Sequence, residues 1–129
     1  MVFVVHSMKD KEWVSRLTAD LNKRGVSTWV ESENLRPGAD WQKELEKALR
    51  ECRAIVVVIS SNSMQSPNLF FEIGAAFAND KTIIPVLIGD IKDLQLPVLL
   101  STRNILRVRS PSEAGKLVAE NIEKIGTNL

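Results

Sequence analysis

The chain has 129 residues, of which 17 are basic and 16 acidic, and it carries one cysteine. That length can bury the core of one domain. The near-balanced charge argues against a dedicated nucleic-acid binder, which carries a basic excess, and a lone cysteine excludes an intrachain disulfide and a cysteine-based metal cluster.

Neither a signal peptide nor a membrane span is legible. The longest apolar runs, Ala54–Ile59 and Ile83–Ile88, fall far short of the roughly 20 residues a spanning helix requires. A reducing cytoplasm is therefore the expected compartment. The first strand begins almost at the first residue, so the chain reads either as a whole small protein or as a domain cut from a longer one. Residues 1–129 are expected to form one domain, with no internal repeat, low-complexity segment or linker.

Met1–His6 reads as a buried strand. Lys9–Arg24 reads as a helix with Trp13, Leu17 and Leu21 on one face, ended by Gly25. Val26–Glu31 forms a second strand, and Ser32–Asp40 a polar loop around the turn signal Pro37-Gly38. Asp40 is placed to cap a helix over Trp41–Arg50. The apolar series Trp41, Leu45, Leu49, Cys52 puts the cysteine in the core. Ala54–Ser60 is apolar nearly throughout, as a central parallel strand buried on both faces must be.

A helix follows over about Asn68–Asn79, and Thr82–Ile88 forms a fourth strand. Pro85 lacks a ladder N–H, which favours a strand end or an edge-like position. Asp90–Ser101 has no clear period. Ile105–Val108 is a short fifth strand. Ser110-Pro111-Ser112-Glu113 opens a last helix whose inner side carries Ala114, Leu117, Val118, Ile122 and Ile125. This alternation predicts an α/β fold: a flavodoxin-like five-stranded parallel sheet, order 2-1-3-4-5, with helices on both faces.

Ligands of such sheets bind outside the carboxyl ends of the strands, at the switch point between strands one and three. His6-Ser7, Glu31, Ser60-Ser61-Asn62 and Gly89-Asp90 occupy those ends. The loop Glu33–Asp40 lies on the same rim. Ser7 reads equally well as a cap for the helix behind it, with Asp10 three residues on, and His6 as a structural histidine. The chain has one histidine and no second to pair with it, which argues against a His-based metal site. The phosphate-cradling and nucleophile-elbow motifs GxGxxG, GxxxxGK[ST] and GxSxG are absent. A response-regulator receiver would end strand three in an acidic residue, and this strand ends in serine.

One carboxylate stands out. Glu72 lies in the otherwise apolar stretch Leu69–Phe77. On a helix it shares a face with Asn68, Ala75 and Asn79, beside the stripe Leu69, Ile73, Phe77. The residues read either as a solvated helix carboxylate or as a reactive group at the rim of a buried helix.

Taken in order, these segments resemble a Toll/interleukin-1 receptor (TIR) domain over nearly the whole chain. Val2–Lys11 resembles the family's opening strand and loop, and Trp29–Gly38 its second strand and BB loop. Ser66–Ala76 resembles the helix that bears the catalytic glutamate in TIR enzymes. The form Ser66-Pro67-Asn68-x-x-x-Glu72-x-Gly74-x-Ala76 is similar to the prokaryotic branch, and to nucleoside 2-deoxyribosyltransferases, whose corresponding glutamate attacks a sugar anomeric carbon. Two departures stand in this chain: Asn68 occupies a position where many TIR enzymes have tryptophan, and Glu31 one where the family often has aspartate.

The resemblance implies an NAD glycohydrolase or cyclase with NAD as substrate, no cofactor and no metal. It implies Glu72 as the catalytic group and His6, Ser7, Glu31, Arg36, Gly38, Trp41 and Asn68 as substrate-binding residues. Trp41 or Trp29 would stack on a base, although core packing suits Trp29 better. The implied partners are other TIR domains, in a homo-oligomer or filament, and a fused or neighbouring sensor domain, in a setting of signal transduction and innate, antiviral defence. Neither direct nucleic-acid contact nor membrane contact is expected. The competing reading is a non-catalytic TIR module that docks through the loop at 33–40, with Asn34, Leu35, Arg36, Pro37 and Gly38 as its contact residues. A deoxyribosyltransferase-like enzyme is a third reading, against which the BB-loop resemblance counts.

Overall fold

A computed structural model describes residues 1–34, 37–38, 40–62, 81–89 and 105–127. Five parallel strands form one sheet in the order β2-β1-β3-β4-β5, as the alternation predicts. They are β1 (Val2–Val5), β2 (Thr28–Val30), β3 (Ala54–Ile59), β4 (Thr82–Ile88) and β5 (Leu106–Val108). The described helices are α1 (Lys11–Lys23), α2 (Glu31–Asn34), α3 (Trp41–Glu51) and α4 (Pro111–Thr127), with a 3-10 turn at Met8–Asp10 before α1. The expected helix at 68–79 and the stretch at 90–101 lie outside the described residues.

The period-2 geometry of strands divides the apolar residues between two cores. On one face, Phe3, Val5, Ile55, Val57, Ile59, Ile83 and Leu87 pack against Leu45, Ala48, Leu49 and Cys52 of α3 and its cap. On the other, Val2, Val4, Val30, Val56, Val58, Ile84, Val86 and Val108 meet Val14, Leu17 and Leu21 of α1 and Ala114, Val118 and Ile122 of α4. Trp29 stacks on Phe3 with ring centroids 4.9 Å apart, the core role that suited it. All six residues of β3 are buried, because this strand has helices over both faces and a strand on either side.

Local signals set the ends of the elements. Gly25 has φ +84° and closes α1: its N–H donates to Asn22 O at 3.1 Å, and that of Val26 to Leu21 O at 2.9 Å. Such a Schellman closure requires the left-handed conformation that glycine adopts freely. Asp40 caps α3 by accepting from the Lys43 N–H at 3.2 Å. Ser110 caps α4, accepting from the Glu113 N–H at 3.1 Å, while Glu113 accepts from the Arg109 N–H at 3.4 Å.

Two expectations need revision, and the edge-like place expected for Pro85 holds. The polar stretch after β2 is not all loop: Glu31–Asn34 forms a helical turn, and the Asn34 side chain accepts from the Val30 N–H at 2.8 Å, which satisfies a donor where β2 stops. Glu31 thus opens α2 rather than ending β2. Pro85 stands mid-strand opposite Val57. β5 pairs with β4 only from Val86 to Ile88, so the proline occupies the stretch of β4 that β5 does not reach.

Candidate active site

The carboxyl edge of the sheet is built from the ends of β1, β2 and β3, and residues singled out from the sequence sit on it. His6 follows β1 and is half-buried. Its Nδ1 lies 2.7 Å from the Ser7 carbonyl oxygen; a carbonyl only accepts, so Nδ1 carries the proton in this contact. Ser7 is buried, and its hydroxyl accepts from the Lys9 N–H at 3.4 Å, capping the 3-10 turn. The capping reading of Ser7 therefore holds.

On the neighbouring strand end, the Glu31 carboxylate accepts from the Trp41 indole N–H at 2.5 Å. That bond ties the start of α2 to the start of α3 and holds the indole outward. Trp41 is 41% exposed, although its spacing to Leu45, Leu49 and Cys52 matches the buried face. It occupies the first position of α3, at the rim and beyond the reach of the core. An exposed, anchored ring on a ligand edge is suited to stacking on a planar group.

Between these pairs, Pro37 and Gly38 form an exposed turn, with Gly38 at φ +80° and open space around its Cα. Asn34 is exposed while its side chain holds Val30. Glu33 is exposed, but its carboxylate accepts from the Thr18 hydroxyl at 3.3 Å. The loop is thus pinned from beneath at Glu33 and Asn34 and presents its turn to solvent. Leu35, Arg36, Asn68 and Glu72 lie outside the described residues.

Sequence reasoning missed a carboxylate on this edge whose two oxygens are both bonded. Asp10, read only as a helper in capping, is 8% exposed. Its carboxylate accepts from Ser60 Oγ at 2.5 Å and from Asn62 Nδ2 at 2.9 Å. The Ser60 oxygen in turn accepts from the Asn62 N–H at 3.1 Å. These bonds span the switch point between β1 and β3, where ligands of this architecture bind. The one sequence signal was that short polar residues cluster just after both strands.

Away from these residues, a cavity of about 730 Å³ opens at the β4–β5 end of the sheet, lined by Ile88, Gly89, Arg107, Val108, Arg109 and Glu113. None of the described substrate-binding residues named from the sequence lines it. At the amino end of β3, opposite the ligand edge, Cys52 is buried, and burial pushes its thiol pKa up against the opposing influences of Lys81 and its backbone hydrogen bond. It behaves as a core residue, as its place in the apolar series implied.

A family model described as a TIR domain matches residues 2–119. The chain is 33% identical over 100 residues to a probable 2′ cyclic ADP-D-ribose synthase, BdTIR, of Brachypodium distachyon, covering 74% of this chain and 44% of the relative. It is 26% identical over 90 residues to the NAD(+) hydrolase TcpC of Escherichia coli, covering 65% and 29% respectively. It is 27% identical over 94 residues to a probable 2′ cyclic ADP-D-ribose synthase, TcpO, of Methanobrevibacter olleyae, covering 67% and 26%. The chain thus spans less than half the length of each. Two solved structures share the fold. A TIR-STING receptor from C. gigas superposes with TM-score 0.81 at 20% identity, over 94% of this chain and 38% of that one. The TIR domains of the activated Roq1 resistosome superpose with TM-score 0.78 at 18% identity, over 94% and 98%. Bacterial and archaeal relatives agree with the prokaryotic form read from Ser66–Ala76. By its family match, its sheet order and its relatives, this chain belongs to the TIR domain family.

Proposed function

We propose that this domain cleaves the nicotinamide–ribose bond of NAD. The observation that carries the reading is joint: His6 and Ser7 just after β1, Glu31 just after β2, and Trp41 at the start of α3, tied to Glu31, sit together on the ligand edge, in a chain whose curated relatives are named for NAD hydrolysis and cyclic ADP-ribose synthesis.

The chemistry asks little of the protein beyond one fixed carboxylate. In NAD the nicotinamide ring already carries positive charge. When the C1′–N bond breaks, the electron pair stays on the ring nitrogen and neutral nicotinamide leaves without a general acid. The developing oxocarbenium charge on the ribose is what needs help. Glu72 is the proposed source, through its charge, by holding ribose hydroxyls or as a transient nucleophile. Water then completes hydrolysis and releases a proton, or a nucleophile of the same nucleotide closes a ring.

His6 and Ser7 would bound the ribose, Arg36 would meet a phosphate, and Gly38 and Asn68 would line the approach. Glu31 would act partly through Trp41, whose exposed ring suits a planar base. The domain would work as an assembly with other TIR domains, in the cytoplasm, coupled to a sensor and serving defence. Among the described residues no helix is long and apolar enough to cross a membrane.

The second reading, a docking module using 33–40, is favoured by the exposed turn at Pro37-Gly38 with its pinned flank. Chromatography of NAD incubated with concentrated domain separates the two. Free nicotinamide with ADP-ribose or a cyclic co-product supports the enzyme. Intact NAD under conditions where the domain demonstrably assembles supports the module.

A further inference from the structure

We infer that Asn34 is a positioning residue for the exposed ring of Trp41: by bonding the Val30 N–H it sets the turn from which Glu31 holds the indole on the ligand edge. The inference rests on the proposed reading of Trp41 as a surface for a planar base of NAD.

β2 is an edge strand, with β1 as its one neighbour in the sheet. Its last residue, Val30, is 0% exposed, so water cannot serve its N–H. A buried donor left unpaired is destabilising. The Asn34 side-chain oxygen takes that N–H at 2.8 Å. The bond closes a ring over residues 31–33 and fixes the change of direction from β2 into α2.

This one turn sends side chains to three neighbours. Asn34 bonds β2, Glu33 accepts from the Thr18 hydroxyl of α1 at 3.3 Å, and Glu31 accepts from the Trp41 indole N–H at 2.5 Å. α3 covers one face of the sheet and α1 the other, so the turn wraps the β2 edge and joins both layers. Glu31 directly follows Val30, and the direction of its carboxylate follows from how the chain turns there. Trp41 packs in neither of the described cores, and it stands 41% exposed at the first position of α3. The Glu31 bond is therefore what orients its ring, and the Asn34 bond is what orients Glu31. Asn34 lies in the loop expected to dock other TIR domains, yet its oxygen already serves its own chain. Aspartate at this position could accept the same N–H, and alanine could not.

The test uses the whole chain with Asn34→Ala and Asn34→Asp, and with Trp41→Phe to assign the indole signal. Each variant is read by exchange of the Val30 amide, by the NMR resonance of the Trp41 indole N–H and by steady-state nicotinamide release from NAD. In Asn34→Ala the Val30 amide should exchange about tenfold faster or more. The indole resonance should move toward that of an unbonded indole, and KM for NAD should rise about 3–10-fold with kcat within about twofold. Asn34→Asp keeps an acceptor and should hold all three near the wild-type values. A docking contact gives a different pattern: both variants weaken self-association, while Val30 exchange, the indole resonance and KM stay unchanged. That pattern overturns the inference, and so does an indole resonance that Asn34→Ala leaves in place. If the wild-type domain releases no nicotinamide, the enzymatic reading fails. The exchange and indole measurements still decide whether Asn34 positions Trp41, because neither needs turnover. Should Asn34→Ala not fold, Asn34→Ser, whose side chain is one bond too short to reach Val30, takes its place.

Discussion

Gly115 offers a prediction in which two effects of opposite sign meet. It lies inside α4, where glycine is ordinarily about 1 kcal/mol worse than alanine. A surface glycine there would be stabilised by Gly115→Ala. This one faces α1: a Cβ built on it would stand 1.8 Å from Asp20 Oδ2, 2.8 Å from its Cγ and 3.2 Å from its Cβ. The carboxylate must swing away, which breaks the 2.7 Å pair with Arg24. Overpacking of this kind costs about 1–3 kcal/mol, and a partly exposed i,i+4 pair adds roughly 0.3–0.5 kcal/mol. Set against the propensity gain, Gly115→Ala should destabilise by about 0.3–2.5 kcal/mol, a fall in Tm of about 1–10 °C for a domain of this size. The decisive comparison is the same change in an Asp20→Ala background. There the carboxylate is gone, only the 3.2 Å Cβ contact remains, and the substitution should become neutral or stabilising by up to about 1 kcal/mol. Urea titrations of the four proteins measure the coupling. Equal effects of Gly115→Ala in both backgrounds would refute the packing account.

Other perturbations test other parts of the structure. The Cys52 pKa is raised by burial, so the folded state keeps its proton when the unfolded chain has lost it; stability is full below the ordinary thiol range and declines as pH rises through it, by up to about 1.4 kcal/mol per pH unit. Cys52→Ala should remove that slope in denaturant titrations between about pH 8 and 10, and native Cys52 should resist alkylation until unfolding. Trp41→Phe keeps a ring but loses the bond to Glu31; together with Glu31→Gln it should raise KM for NAD by about 3–10-fold with kcat changed less, and a fall confined to kcat would contradict the stacking role. Gly38 has φ +80°, and a Cβ added to it would meet nothing within 4 Å, so Gly38→Ala should cost about 1 kcal/mol through backbone strain alone, measurable as a lower urea midpoint.

The layout of the sheet was legible because burial on both faces leaves no choice of residue: six consecutive apolar positions in β3 admit hardly any other reading. The helix faces followed from their spacing, and Gly25, Asp40 and Ser110 marked ends by local chemistry alone. Trp41 escaped because periodicity gives a direction around the helix but not the distance from the core. As the first residue of α3 it points along the inner face yet overhangs the sheet edge. The turn at Glu31–Asn34 escaped because its one stabilising cue, the Asn34 side chain on the Val30 N–H, resembles ordinary loop polarity. The Asp10 network escaped for a different reason. It joins residues 50 and 52 positions apart, and a contact between short polar side chains at that separation leaves no period to find.

The central claim is that this domain breaks the nicotinamide–ribose bond with the Glu72 carboxylate. Its most direct test is nicotinamide release from NAD by the concentrated or crowded wild-type domain beside a Glu72→Ala variant of equal Tm and equal assembly. Steady release by the wild type and a loss of about a hundredfold or more in the variant are expected. Equal rates in the two proteins, or no release by a wild type shown to be assembled, would contradict the claim.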